Sequence, residues 1–187
     1  VLTAAQSVSM MVTGGINLHQ LPHLTDQGIS EAVAVGAISA YALWAMVGVL
    51  GWSFLAERIG VRLTLGVNLA MGAVGVFILA NVEAVLLAYF YSFFYGICFG
   101  GQMALFPLAW ADYFGRESLG TIRGLSRPIT MVFNALGPFL AGWLYGRTTN
   151  YQSTFQIFIA SYVLGSILVF ISRSPHSSED PGSTERV

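Results

Sequence analysis

Few side chains in this sequence could carry out catalysis or bind a metal. A membrane protease needs a serine nucleophile and a histidine deep in the bilayer, but Ser126 is followed by Arg127 rather than glycine. His176, the histidine that follows it, falls in the polar tail. The three histidines are not spaced as a ligand set with Cys98, the single cysteine. We therefore expect no enzymatic activity, no metal and no cofactor.

Two amide side chains point to a different chemistry, hydrogen bonding within an apolar environment. Gln102 and Asn134 interrupt long apolar runs, and a polar group is expensive to expose to lipid, so both should face the protein interior. The apolar runs around them contain no carboxylate and no arginine.

The elements that position these amides are predicted to be six membrane-spanning helices. Only 9% of the 187 residues are charged and 55% are hydrophobic, whereas soluble domains carry about 25% charged residues. Six windows without Asp, Glu, Lys or Arg are each long enough for one helical crossing, which takes about 20 residues. They lack the alternating polarity of barrel strands. The expected helices lie near 1–22, 32–56, 63–81, 84–110, 128–146 and 153–172.

The distribution of arginine predicts which side of the membrane each connector faces. The connectors after the second and fourth helices are rich in arginine, whereas the opposite side holds Arg147 alone. The positive-inside rule then places the C-terminus in the cytoplasm. We expect residues 173–187 to form a disordered cytoplasmic tail. The sequence shows no signal peptide and begins inside an apolar run, so we expect it to be part of a longer chain. A net charge of −1 gives no electrostatic case for nucleic-acid binding.

The connector at 53–62 carries the most specific motif in the chain. It reads Ser-Phe-Leu-Ala-Glu-Arg-Ile-Gly-Val-Arg and resembles the loop motif between the second and third helices of each half of major facilitator superfamily transporters. Three positions depart from the usual residues of this motif: Ser53, Glu57 and Val61. These departures resemble the degenerate copy of the motif that is found in C-terminal halves of the family. The resemblance implies a conformational latch, although the arginines could instead only set topology. The latch residues would be Ser53, Glu57, Arg58, Gly60 and Arg62.

Further segments resemble one branch of this superfamily. Residues 111–116, 120–124 and 137–142 look like the end of helix ten and helix eleven of the monocarboxylate transporters and oxalate/formate antiporters. Residues 21–30 resemble the loop between helices seven and eight of the same branch. The resemblance implies an all-α membrane protein with six transmembrane helices, the C-terminal half of a twelve-helix major facilitator fold.

This resemblance implies secondary active transport of a small solute, an organic monocarboxylate, by alternating access. The expected partners are the lipid bilayer, the solute and a missing N-terminal six-helix half, in the plasma membrane. A six-helix channel or a non-transporting scaffold subunit is the alternative. Cavities in the superfamily draw on helices seven, eight, ten and eleven. Arg127 lies at the cytoplasmic mouth of the predicted fifth helix, where it could meet an organic anion, pair with an acidic latch of the missing half or only set topology. The implied substrate-binding residues are Asn17, His19, Tyr41, Trp44, Tyr95, Gln102, Arg127 and Asn134.

Overall fold

A computed structural model describes residues 1–115 and 119–172 of the chain, and these residues form a bundle of six α-helices without strands. The predicted all-α fold is therefore confirmed. The connectors are short, so consecutive helices run back and forth across the bundle. The helices are α1 (Leu2–Asp26), α2 (Glu31–Ile59), α3 (Val61–Ala80), α4 (Val85–Phe114), α5 (Leu119–Thr148) and α6 (Gln152–Ile171).

Several helices extend past the charge-free windows of the sequence. α5 begins at Leu119 and carries Pro128 within it, although the charge-free window begins only at that proline. α2 and α4 likewise continue to Ile59 and Phe114. Charged residues mark where the bilayer ends, whereas a helix continues until its backbone is broken. The predicted disordered tail, 173–187, lies outside the described residues.

Five of the six helices are long and apolar enough to cross a membrane, and α1 is the one that is not. α1 is polar because it contains serine, threonine, glutamine and histidine, but much of this polarity is shielded from lipid. Ser7, Gln20 and His23 are all buried inside the bundle, and His23 Nε2 lies 2.8 Å from the carbonyl oxygen of Leu79 on α3. The neighbouring helices thus supply the hydrogen bonds that lipid cannot provide.

The packing of the bundle has an internal two-fold pattern. α2 packs mainly on α4 and α5 mainly on α1, while α3 packs on α4 and α6 on α1. If α1, α2 and α3 are exchanged with α4, α5 and α6, the α2–α4 pair becomes the α5–α1 pair, and the α3–α4 pair becomes the α6–α1 pair. The central α3–α6 pair becomes itself. This is the arrangement expected of two three-helix repeats, which is how many transporter halves are built.

Glycines allow close helix crossings between the two repeats. A Cβ atom on Gly48 or Gly100 would overlap the backbone of the facing helix in the α2–α4 pair, and one on Gly137 would overlap Met11 in the α5–α1 pair. Small residues of this kind let two backbones approach within van der Waals contact. The two three-helix repeats therefore pack on each other through tight glycine crossings in both the α2–α4 and the α5–α1 pair.

The connector between α2 and α3 consists of Gly60 alone. Gly60 has φ +88°, a left-handed conformation that a side chain would strain. Its amide donates to the carbonyl oxygen of Ala56 (3.0 Å), and its own carbonyl accepts from the Thr64 hydroxyl (2.8 Å). The chain therefore reverses direction at this single glycine.

Candidate functional site

A cavity of about 500 Å³ lies between α1, α4 and α5. It draws two residues from α1, and α4 and α5 supply the rest. Three of the eight residues that the sequence suggested for substrate binding line it together. The lining residues are Gln6, Met10, Gln102, Met103, Phe106, Pro107, Trp110, Arg123, Ser126, Arg127, Thr130, Met131 and Asn134.

The floor of the cavity lies near the middle of the helices. Gln102 and Asn134 are close to the midpoints of α4 and α5, each of 30 residues. At 1.5 Å per residue, Arg123 stands about 16 Å from Asn134 along α5. The cavity therefore extends from mid-bundle toward the end that carries the arginine-rich connectors, called here the arginine-rich end.

Helical spacing explains why α5 presents a polar stripe to the cavity. Arg123, Arg127 and Thr130 follow one another at intervals of four and three residues, and Asn134 comes four further on, so these side chains share one face. The Thr130 hydroxyl donates to the carbonyl oxygen of Arg127 at 2.9 Å. The face is thus polar along its whole length, from charged groups at the arginine-rich end to an amide at the floor.

The two arginines give the cavity a positive mouth. Both are exposed side chains, and among the described residues that line the cavity none is acidic. Cations at positions i and i+4 repel each other, so an anion between them would relieve a real electrostatic cost. Nearby, the Trp110 indole Nε1 donates to Gln6 Oε1 at 3.1 Å, which ties α4 to α1 beside the mouth.

Much of the remaining lining of the cavity is apolar. Met10, Met103, Phe106 and Met131 contribute thioethers and an aromatic ring. Methionine is flexible and adapts to irregular shapes. A solute with a charged end and an apolar body would match these two kinds of surface.

The two floor amides are both held by hydrogen bonds. Asn134 Nδ2 donates to the carbonyl oxygen of Met10 at 3.0 Å. Gln102 is only 2% exposed; its Nε2 donates to Tyr162 Oη at 3.1 Å, and its Oε1 accepts from the Ser9 hydroxyl. The sequence-based expectation that these amides face protein rather than lipid agrees with this geometry.

The aromatic candidates lie away from this cavity. Tyr95 is fully buried and its ring stacks on that of Tyr41, with centroids 5.7 Å apart. Trp44 is 37% exposed and packs edge-on against Phe93. None of the three lines the cavity. Tyr41 and Trp44 belong to α2, and the ring of Tyr95 on α4 packs against Tyr41 and Tyr162. In this structure they stabilise the α2–α4 pair instead.

His19 and Asn17 lie at the end opposite the arginines. His19 Nε2 is 3.2 Å from the carbonyl oxygen of Pro138 and Nδ1 is 3.1 Å from Tyr151 Oη. Since a carbonyl can only accept, Nε2 carries the hydrogen and Nδ1 of the neutral ring accepts from the tyrosine hydroxyl. His19 thus connects α1 to α5 and to the start of α6. Asn17 is exposed and does not line the cavity.

The latch motif is divided between the surface and the bundle. Ser53 donates to the carbonyl oxygen of Val49 in its own helix (2.7 Å), and Arg58 stacks over the Phe54 ring at 4.7 Å. Glu57 is exposed and makes no hydrogen bond within the described part of the chain. A latch role for Glu57 therefore stays a prediction.

Arg62 makes a contact that the sequence did not suggest. Its guanidinium donates to the carbonyl oxygens of Val169 and Phe170 at the C-terminus of α6. These carbonyls have no partner within the helix, and a cation there also complements the helix dipole. Within this half, Arg62 fastens α3 to α6.

Sequence reasoning missed most of the cavity lining, including Arg123, Gln6 and Trp110. Arg123 could have been found, because it lies four residues before Arg127 and a helix starting upstream of Pro128 would place both on one face. The sequence instead suggested a connector there. The apolar lining residues gave no signal that separates a cavity wall from a lipid-facing surface.

Comparison with known proteins agrees with this architecture. The family description of the Major Facilitator Superfamily matches residues 2–187, nearly the whole chain. The chain belongs to the Major Facilitator Superfamily. It is thus an integral, multi-pass membrane protein, and its six helices correspond to half of a major facilitator fold. The resemblance stated from the sequence is confirmed at the level of the family.

A curated relative supports the branch. The chain is 25% identical over 169 residues to monocarboxylate transporter 12-B of Danio rerio. The match covers 86% of this chain and 35% of the relative. The chain therefore resembles monocarboxylate transporters and spans about a third of the length of that relative.

Proposed function

We propose that the intact protein is a secondary active transporter that moves a small organic anion, a monocarboxylate, across the plasma membrane by alternating access. The observation that carries this proposal is the cavity between α1, α4 and α5, with two arginines at its mouth and two amides at its floor. In a major facilitator chain, a polar cavity that ends near the middle of the helices is where a solute binds.

The chemistry of the lining supports an anion with an apolar body. Arg123 and Arg127 would bind a carboxylate, because guanidinium forks match its geometry. The methionines and Phe106 would contact the hydrocarbon part. The resemblance to a transporter named for monocarboxylates supports the same solute class. Membership of a transporter family also supports the expectation that the chain is not an enzyme.

The proposal includes an N-terminal six-helix half that completes the cavity, since this chain spans only part of its relative. It also places the arginine-rich end and the C-terminus in the cytoplasm, on the strength of the positive-inside rule. In that orientation the cavity described here opens toward the cytoplasm.

Uptake and current recordings on the full-length protein in proteoliposomes test the proposal. We expect saturable uptake of a radiolabelled monocarboxylate that unlabelled monocarboxylates inhibit and uncharged analogues do not. Unitary currents in planar bilayers would instead indicate the channel alternative. Absence of uptake for carboxylates, with saturable uptake of a neutral or cationic solute, would refute the anion assignment.

A further inference from the structure

The carboxamide of Gln102 is held by side chains that do not themselves line the cavity. Its Nε2 group donates to Tyr162 Oη on α6 (3.1 Å) and to Cys98 Sγ one turn earlier in α4 (3.0 Å). Its oxygen accepts from Ser9 on α1. Tyr162, Cys98 and Ser9 are buried, so water does not compete for these bonds.

These contacts determine which edge of the amide faces the solute. The torsion that rotates a glutamine carboxamide is broad, so hydrogen bonds rather than sterics fix its orientation. Both hydrogens of Nε2 are used, one by Tyr162 and one by Cys98. The oxygen accepts one bond, from Ser9, and a carbonyl oxygen has two lone pairs, so the remaining hydrogen bond that Gln102 can offer a solute is one in which its oxygen accepts.

The two acceptors are themselves fixed in place. The Tyr162 hydroxyl donates to Tyr95 Oη at 3.4 Å, and the Cys98 thiol donates to the backbone carbonyl of Asn68 at 3.3 Å. Gly72 leaves room for both, since a Cβ there would lie 2.8 Å from Cys98 Sγ and 3.2 Å from the Tyr162 ring. The hydrogen-bonded cluster thus extends to α3 and α6 behind the cavity.

We propose that Tyr162 is a positioning residue for transport, which holds the Gln102 carboxamide with its oxygen toward the solute and so makes the cavity floor a hydrogen-bond acceptor. The inference rests on the proposed function and names a residue outside the cavity that sets solute affinity. A monocarboxylate whose body carries a hydrogen-bond donor would benefit most. Removal of the Tyr162 hydroxyl frees one Nε2 hydrogen and lets the amide rotate.

Uptake kinetics of the full-length transporter with Tyr162→Phe test the proposal. Loss of one buried hydrogen bond in a membrane protein corresponds to a rise in KM of about three- to fifteen-fold, with Vmax per surface copy unchanged. The rise should be larger for a hydroxy-monocarboxylate than for the carboxylate without the hydroxyl. The matched control is Tyr91→Phe, which removes an equally buried hydroxyl bonded to Gln20 at 2.7 Å and should leave KM unchanged.

A double-mutant cycle separates positioning from a general packing effect. In the Gln102→Ala background, Tyr162→Phe should change KM by less than about twofold, the range of additivity for independent sites. Cys98→Ala, which removes the other acceptor, should reproduce the KM effect if Tyr162→Phe reaches the membrane poorly. Equal effects of Tyr162→Phe with and without Gln102, or no effect on KM at all, overturn the proposal. Wild-type protein without saturable monocarboxylate uptake would refute the proposed function itself.

Discussion

Neutralising Arg127 tests the charge of the cavity mouth most directly. Arg127 is exposed, so its contact with a carboxylate is partly screened by water. Two unit charges 4 Å apart attract by about 1 kcal/mol in bulk water, and a hydrogen bond to a charged group contributes about 1.5–3 kcal/mol where water is excluded. We take about 1–2 kcal/mol for this half-open site. Arg127→Gln should therefore raise KM for a monocarboxylate about five- to thirty-fold.

Salt and a conservative variant distinguish charge from geometry. At about 1 M ionic strength the Debye length falls to about 3 Å, so wild-type KM should rise toward that of the variant, while the variant itself should respond weakly. Arg127→Lys keeps the charge but loses the planar fork, so its KM should lie between those of the wild type and Arg127→Gln. Radiolabelled uptake in proteoliposomes, normalised to the amount of transporter, measures all three quantities.

Arg147→Gln is the matched control for this prediction. Arg147 is also an exposed arginine of α5, but it lies at the opposite end and stacks over the Trp143 ring at 4.1 Å. Its loss should leave KM unchanged. An unaltered KM in Arg127→Gln, or an equal rise in Arg147→Gln, would refute the assignment of carboxylate binding to the cavity mouth.

Two further predictions concern the packing of α5 on α1. Gly137→Ala should lower the thermal unfolding temperature in detergent, because its new methyl overlaps the Met11 carbonyl and overpacking costs about 1–3 kcal/mol. The control Gly146→Ala, which has open space around it, should leave the unfolding temperature unchanged. Equal shifts in the two variants would contradict the close crossing. His19→Phe should lower the unfolding temperature by removing the hydrogen bonds to Pro138 and Tyr151. Asn17→Ala is its control, and unchanged stability of the His19 variant would exclude the bridging role.

The helices were predictable because the bilayer imposes a simple rule on sequence. The charged residues lie outside six apolar windows of this chain, in connectors and near helix ends, so these windows indicated a fold of six helices. The ends were less predictable. α5 begins before Arg123 and Pro128, because an arginine can lie within a helix once that helix has left the hydrocarbon, and proline is tolerated where neighbouring groups accept the altered backbone.

The cavity was predictable only where a side chain is costly to place in lipid. Gln102 and Asn134 could be assigned to the interior from the price of exposing an amide, and both line the floor. The same reasoning does not distinguish a buried tyrosine from a cavity tyrosine, because the hydroxyl of either can be satisfied within the bundle. Tyr95 illustrates this, since it is fully buried and its hydroxyl accepts from Tyr162.

The polarity of the cavity changes with depth in the way that solvation demands. Arg123 and Arg127 stand near the arginine-rich end, where water can reach a charge, whereas the groups near mid-bundle are the neutral amides of Gln102 and Asn134. An ionised side chain at that depth would be costly to desolvate without a partner, but an amide needs only hydrogen bonds, and Ser9, Tyr162 and the α1 backbone supply them. A chain with no charged residue inside its apolar windows can therefore still present a polar floor. The charge that attracts an anion and the amides that orient it are separated by about three turns of helix.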